Sequence, residues 1–219
     1  MNKDERQKML LHKLQEMKAY EEALYSKGIR YIAGVDEVGR GPLAGPLVAA
    51  AVILPEDFNI LGINDSKKLT ENKREELNFK IKDNCLAYGI GIVDNVVIDN
   101  VNILEATKIA MRDAIRNLGR RCCIEHILLD ALVLEDVPIP QTSIVKGDSK
   151  SISIAAASIL AKVIRDRMMV KYHQSFPYYS FDTNKGYGTK AHYEGIKQQG
   201  ICSIHRKSFL KNILTNSGL

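Results

Sequence analysis

Apolar positions fall alternately into helical stripes and short continuous runs. Leu10, Leu14, Met17 and Leu24 recur at spacings of four, three and seven, which makes one face of a helix that Gly28 can end. Residues 31–35 (YIAGV) read as a short strand. The following GRGPLAGP excludes regular structure, and residues 47–54 form a second apolar run of strand length. Thr70 and Glu71 supply an N-cap and a first-turn acid for a helix to about Lys82, and residues 86–93 give a third strand. Asn102 with Glu105 opens another helix, whose face of Ile103, Thr107, Ala110, Ala114 and Leu118 runs to Gly119. A buried strand at 127–129 delivers Asp130. Residues 151–172 contain no Gly or Pro and begin with the small, dense run SISIAAASILAKV, which predicts a central helix packed very close to a sheet.

Strands come in succession at first and alternate with helices afterwards. That order predicts an α/β fold with a mixed central sheet, antiparallel across its first three strands and parallel thereafter, flanked by helices. A chain of 219 residues needs no second large domain. The longest apolar run, 47–54, is far too short to span a bilayer, and the N-terminus is too often interrupted by charge to be a secretory signal, so a cytoplasmic protein is expected. Cys85, Cys122, Cys123 and Cys202 lack paired metal-ligand spacing and read as reduced thiols. A zinc site built from Cys202 with His192 or His205 has no second ligand pair. The net charge of +5 suits a polyanionic partner.

Four acids stand at or just after the ends of apolar elements: Asp36 and Glu37 after YIAGV, Asp130 after HILL, and Asp148 after SIVKG. Strand ends are where open sheets place their sites. Taken singly, such acids are usually turn and cap residues. If they converge, their repulsion calls for divalent cations, and oxygen-only ligands select magnesium or manganese over zinc. Two such ions are the catalytic pair of many nucleases. Neighbours on a strand point to opposite faces, so Asp36 and Glu37 share a site only if the strand has ended or bulged there.

The string YIAGVDEVGRGPLAGPLVAAAVILP resembles the opening motif of the ribonuclease HII family. The similarity continues through NDSKKLT, NILEATKIAM, HILLDAL, VKGDSKSISIAAASILAKVIRDR and NKGYGTKAHYEGI, from Tyr31 to about Phe209. The resemblance implies a ribonuclease H-like fold with a C-terminal helical extension. Residues 1–28 would be an N-terminal helical extension and 29–219 the catalytic domain. It further implies a monomeric endoribonuclease that uses Mg2+ or Mn2+, held by Asp36, Glu37, Asp130 and Asp148, to cut the RNA of RNA–DNA hybrids and to nick DNA duplexes 5′ of embedded ribonucleotides. Gly39, Arg40 and Gly41 would read the ribonucleotide from the minor groove, the glycines because bare backbone can approach a 2′-hydroxyl. Tyr187 would sense the RNA–DNA junction with its ring and hydroxyl. Lys67, Lys68, Lys162, Arg165 and Lys185 would meet phosphates, although Arg165 with Asp166 can instead form a structural ion pair.

Three other readings fit less of the sequence. A nucleotide-phosphate loop needs GK and Ser or Thr before a helix, whereas here Pro46 leads into a strand. A non-catalytic nucleic-acid-binding module leaves the acids unexplained. Ribonuclease HIII carries a sizeable N-terminal domain and a glutamate as fourth acid, where this chain has about thirty residues and Asp148.

Overall fold

The computed structural model describes residues 2–210. Met1 and residues 211–219, the end of the expected catalytic domain, lie outside the described residues. Strands β1 (Ile32–Val38), β2 (Leu47–Ile53) and β3 (Ala87–Val93) pair antiparallel. On the other side of β1, β4 (His126–Asp130) and β5 (Gln141–Ile144) add in parallel, which gives the order β3-β2-β1-β4-β5 and the mixed sheet expected.

The continuous apolar run of β2 is explained by burial on both faces. Val48, Ala50 and Val52 meet the core beneath helix α5 (Ile152–Ser175), while Leu47, Ala49, Ala51 and Ile53 meet the core beneath α4 (Ile103–Gly119). The small residues that open α5 let it settle onto β1. At Gly34, an added Cβ would lie 2.1 Å from the Ser153 carbonyl carbon, so no larger residue fits under the helix. Asn102 caps α4 as its spacing predicts, accepting the N–H groups of Leu104 and Glu105 at 2.9 and 3.2 Å, and a short helix α3 (Asn95–Val101) that the sequence reading missed precedes it.

Helix α1 (Lys3–Tyr25) starts with a capping box between Asn2 and Glu5 and buries Leu14, Met17 and Leu24. The interval between Met17 and Leu24 is filled by Glu21, also buried. Its Oε1 accepts hydrogen bonds from Ser151 Oγ at 2.6 Å and from the Ser153 N–H at 3.1 Å, so an acid of α1 caps the start of α5. Helix α2 (Glu71–Asn84) begins at the Thr70 cap. After α5 come the short helix α6 (Phe181–Asn184) and α7 (Lys190–Gln199), which pack on Ala44, Met169 and Tyr179 in a core of their own. No helix among the described residues is long and apolar enough to cross a membrane.

Candidate active site

The acids sit where the sheet changes from antiparallel to parallel. Val35 pairs with Leu129 at the end of the parallel ladder, so Asp36 and Asp130 each follow its last pair on adjacent strands. Asp148 follows β5 in a tight turn, Gly147–Ser149. That turn is tied to Asp130, whose Oδ1 accepts the Gly147 N–H at 2.7 Å.

β1 neither stops nor bulges at its acids. Asp36 pairs with Ala50 and Glu37 with Ala49 in regular register, so the expected strand end at Val35 is corrected to Val38. The side chains therefore leave opposite faces: Asp36 shares the α5 face with Ala50, and Glu37 the other face with Ala49. They still act on each other through the sheet's end. Burial first, then Glu37 and Asp130, push the Asp36 carboxyl well above its ordinary pKa, against a hydrogen bond from Ser158 of α5. Burial also raises Glu37; Arg40 opposes this from 3.6 Å and Asp130 adds to it. Burial, Asp65 and Asp130 raise Asp148.

A cavity of about 490 Å3 opens beside these acids, lined by Asp65, Lys67, Lys68, Asp130, Asp148 and Ser149. Burial pulls the Lys67 ammonium down, but Asp65, Asp148 and Asp36 outweigh it and leave its pKa raised. Asp65, within NDSKKLT, is a fifth carboxylate lining this cavity.

The oxygen donors fit a hard divalent cation in kind: several carboxylates crowd together, and burial with mutual repulsion raises their pKa values, a cost that a bound cation relieves. Among the described residues no three His, Cys, Asp or Glu side chains already close around a single point. Asp36 and Asp130 each have one oxygen on a backbone N–H, of Glu37 at 2.8 Å and of Gly147 at 2.7 Å, and Ser158 also bonds the Asp36 carboxyl.

The glycine loop stands next to the acids. Gly39 has φ of +100°, and a Cβ there would lie 2.3 Å from Arg165 Nε, so glycine is required twice over. Arg40 is exposed, and the ring of Tyr187 lies over Gly41, 3.6 Å from where a Cβ would stand. Two buried arginines hold this loop by its carbonyls. Arg165 donates to Pro46 at 2.8 Å, Ala44 at 3.2 Å and Lys185 at 2.8 Å. Arg206 donates to Gly39 at 2.6 Å, Arg40 at 3.0 Å and Gly45 at 2.9 Å. Burial lowers them to about 10 and about 9, so both remain cationic at neutral pH.

The expected phosphate contacts thus separate into two groups. Lys67 and Lys68 are exposed at the cavity. Arg165 is fully buried, and its expected phosphate contact is corrected: its donors are spent on loop carbonyls. Lys162 is half-buried and paired with Asp166 at 2.7 Å, so the structural ion pair expected of Arg165 is made by Lys162. Lys185 turns its ammonium onto the Asp182 carbonyl. Arg206 had no motif signal, because an arginine buried among backbone carbonyls looks in sequence like any solvated one.

Acids placed where the parallel pairing of β1 and β4 ends, on a sheet of this strand order, define a nuclease of the ribonuclease H-like fold. A family profile described as Ribonuclease HII matches residues 33–212. Over 204 residues the chain is 57% identical to a ribonuclease HII of Caldanaerobacter subterraneus subsp. tengcongensis, covering 93% of this chain and 84% of the relative. It is 60% identical over 197 residues to one of Bacillus thuringiensis, covering 90% and 76%. The crystal structure of ribonuclease H2 from Pyrococcus horikoshii superposes with a TM-score of 0.66 at 30% identity, over 85% of this chain and 98% of that one. The chain belongs to the ribonuclease HII family: it is a divalent-metal-dependent endoribonuclease acting on RNA–DNA hybrids.

Proposed function

We propose that this enzyme also nicks duplex DNA on the 5′ side of a single embedded ribonucleotide, leaving a 3′-hydroxyl and a 5′-phosphate. The observation that carries this reading is the placement of Tyr187 over Gly41, next to the carboxylates. Such a pair can test for one ribose where bare backbone approaches the sugar.

Asp36, Asp130 and Asp148 hold the cations, and Glu37, leaving the opposite face of β1, joins them at the sheet's end, where it is within electrostatic reach of Asp130; the ions are magnesium or manganese because every donor is oxygen. When bound, they activate water and stabilise the leaving oxygen. Gly39 and Gly41 present backbone to the 2′-hydroxyl, and Arg40, exposed beside Glu37, holds an adjacent phosphate. Lys67 and Lys68 steady the strand at the cavity. Lys162 and Lys185 reach phosphate only by leaving their present partners, and Arg165 acts through the loop it holds. The chain works as a cytoplasmic monomer, with residues 1–28 as a helical extension docked on the catalytic domain through Met17 and Glu21.

The test is a DNA duplex with one ribonucleotide, incubated with the enzyme and magnesium or manganese, with and without chelator. A single nick 5′ of the ribonucleotide that the chelator abolishes is expected. An intact duplex, under conditions where an RNA–DNA hybrid is cut, would overturn the reading.

A further inference from the structure

Behind Tyr187 lies a chain of buried groups that the proposed chemistry does not use. His192 of α7 and His205 are both fully buried, and their Nε2 atoms stand 3.0 Å apart. Phe181 packs edge-on against His192 and Tyr179 against His205, with ring centroids 5.2 and 4.8 Å apart.

The neighbours determine which nitrogens carry protons. The Cys202 N–H donates to His205 Nδ1 at 2.9 Å, so that nitrogen is an acceptor and the proton of a neutral ring sits on Nε2. His205 Nε2–H therefore donates to His192 Nε2, which leaves the His192 proton on Nδ1. That proton faces the Tyr187 carbonyl oxygen at 2.9 Å. Burial supports neutral rings by lowering both imidazoles, His205 to about 4. The result is a one-way chain of hydrogen bonds from Cys202 to the backbone of Tyr187.

The same segment is stapled to the glycine loop. His205 forms a β-bridge with Ala44, the Arg206 N–H donates to Leu43 at 2.8 Å, and the Gly45 N–H donates to Ile204 at 2.9 Å. Residues 204–206 thus grip the loop with their backbone and reach the Tyr187 carbonyl through His205 and then His192.

We propose that His192 and His205 are positioning residues, a relay that fixes the Tyr187 ring relative to Gly41 and so sets how strongly the enzyme favours a lone ribonucleotide over continuous RNA. This inference rests on the junction-reading role of Tyr187 proposed above.

Two variants of one residue test it. In His192→Asn the amide N–H can stand where Nδ1–H stands and keep the bond to the Tyr187 carbonyl. In His192→Gln the amide is displaced to the Nε2 position and the bond is lost. Cleavage of a single-ribonucleotide duplex and of an RNA–DNA hybrid of equal length is measured for both, with thermal melts. His192→Gln should lower kcat/KM on the single ribonucleotide by about tenfold, the worth of one buried hydrogen bond, and on the hybrid by less than about threefold. His192→Asn keeps the bond to Tyr187 but loses the one from His205, so it should fall between parent and His192→Gln, by about threefold on the single ribonucleotide and less on the hybrid. Equal behaviour of the two variants on both substrates would overturn the relay. Imidazole 15N spectra of the unaltered enzyme give a readout independent of cleavage: protons on His192 Nδ1 and His205 Nε2 sustain the relay, and any other assignment removes it. If the parent enzyme does not nick single ribonucleotides, the junction reading fails, and these spectra alone decide whether the relay exists.

Discussion

Arg206 donates to the backbone carbonyl of Gly39 at 2.6 Å, across 167 positions of sequence. It also serves Arg40 and Gly45, so three buried carbonyls depend on one side chain. Lysine presents a point charge on a flexible stem and cannot match that fork. Arg206→Lys should therefore destabilise the fold by about 3 kcal/mol, measured by urea unfolding, because buried carbonyls lose their donors. A change within about 0.5 kcal/mol would show that the loop holds itself.

Asp36 is buried, and burial, Glu37 and Asp130 together raise its pKa. Asn keeps the shape and removes the charge. Asp36→Asn should lower hybrid cleavage on the order of a hundredfold or more while duplex binding stays within about threefold. Parallel loss of binding and of the melting transition would assign Asp36 to the fold instead.

Glu21 gives a pH signature. Burial raises its pKa against the hydrogen bonds from Ser151 and Ser153. The folded value exceeds the unfolded one, so the protonated acid is favoured in the folded state. Its stabilisation is complete below the ordinary carboxyl pKa and is lost as pH rises through the folded pKa. The melting temperature of the parent minus that of Glu21→Gln should fall across that window. A flat difference would mean that Glu21 titrates alike in both states.

The Tyr187 ring is exposed over Gly41. Tyr187→Ala should depress cutting at single ribonucleotides about tenfold more than cutting of long hybrids, in keeping with the loss of one stacked aromatic contact. An equal drop on both substrates would contradict junction reading.

Sequence patterning reached the mixed sheet, antiparallel first and then parallel, and the long helices, because strand runs and caps leave local marks. It stopped β1 three residues early, since Asp36 and Glu37 look like the start of a loop until Ala49 and Ala50 are seen opposite them. It skipped Glu21 in the stripe of α1, because a carboxylate reads as solvated unless its partners, Ser151 and Ser153, are known to be near. It sent Arg165 to the substrate for the same reason: the carbonyls that bury it are brought there only by folding. Asp36, Gly39 and Tyr187 stand in recognisable motifs; the distant residues that contact them, Ser158, Arg206 and His192, carry no such mark.

The grip of Arg206 on Gly39 also orders events during synthesis. The glycine loop leaves the ribosome 167 residues ahead of the arginine that clamps it, so a growing chain holds Gly39 without its clamp until Arg206 has also emerged.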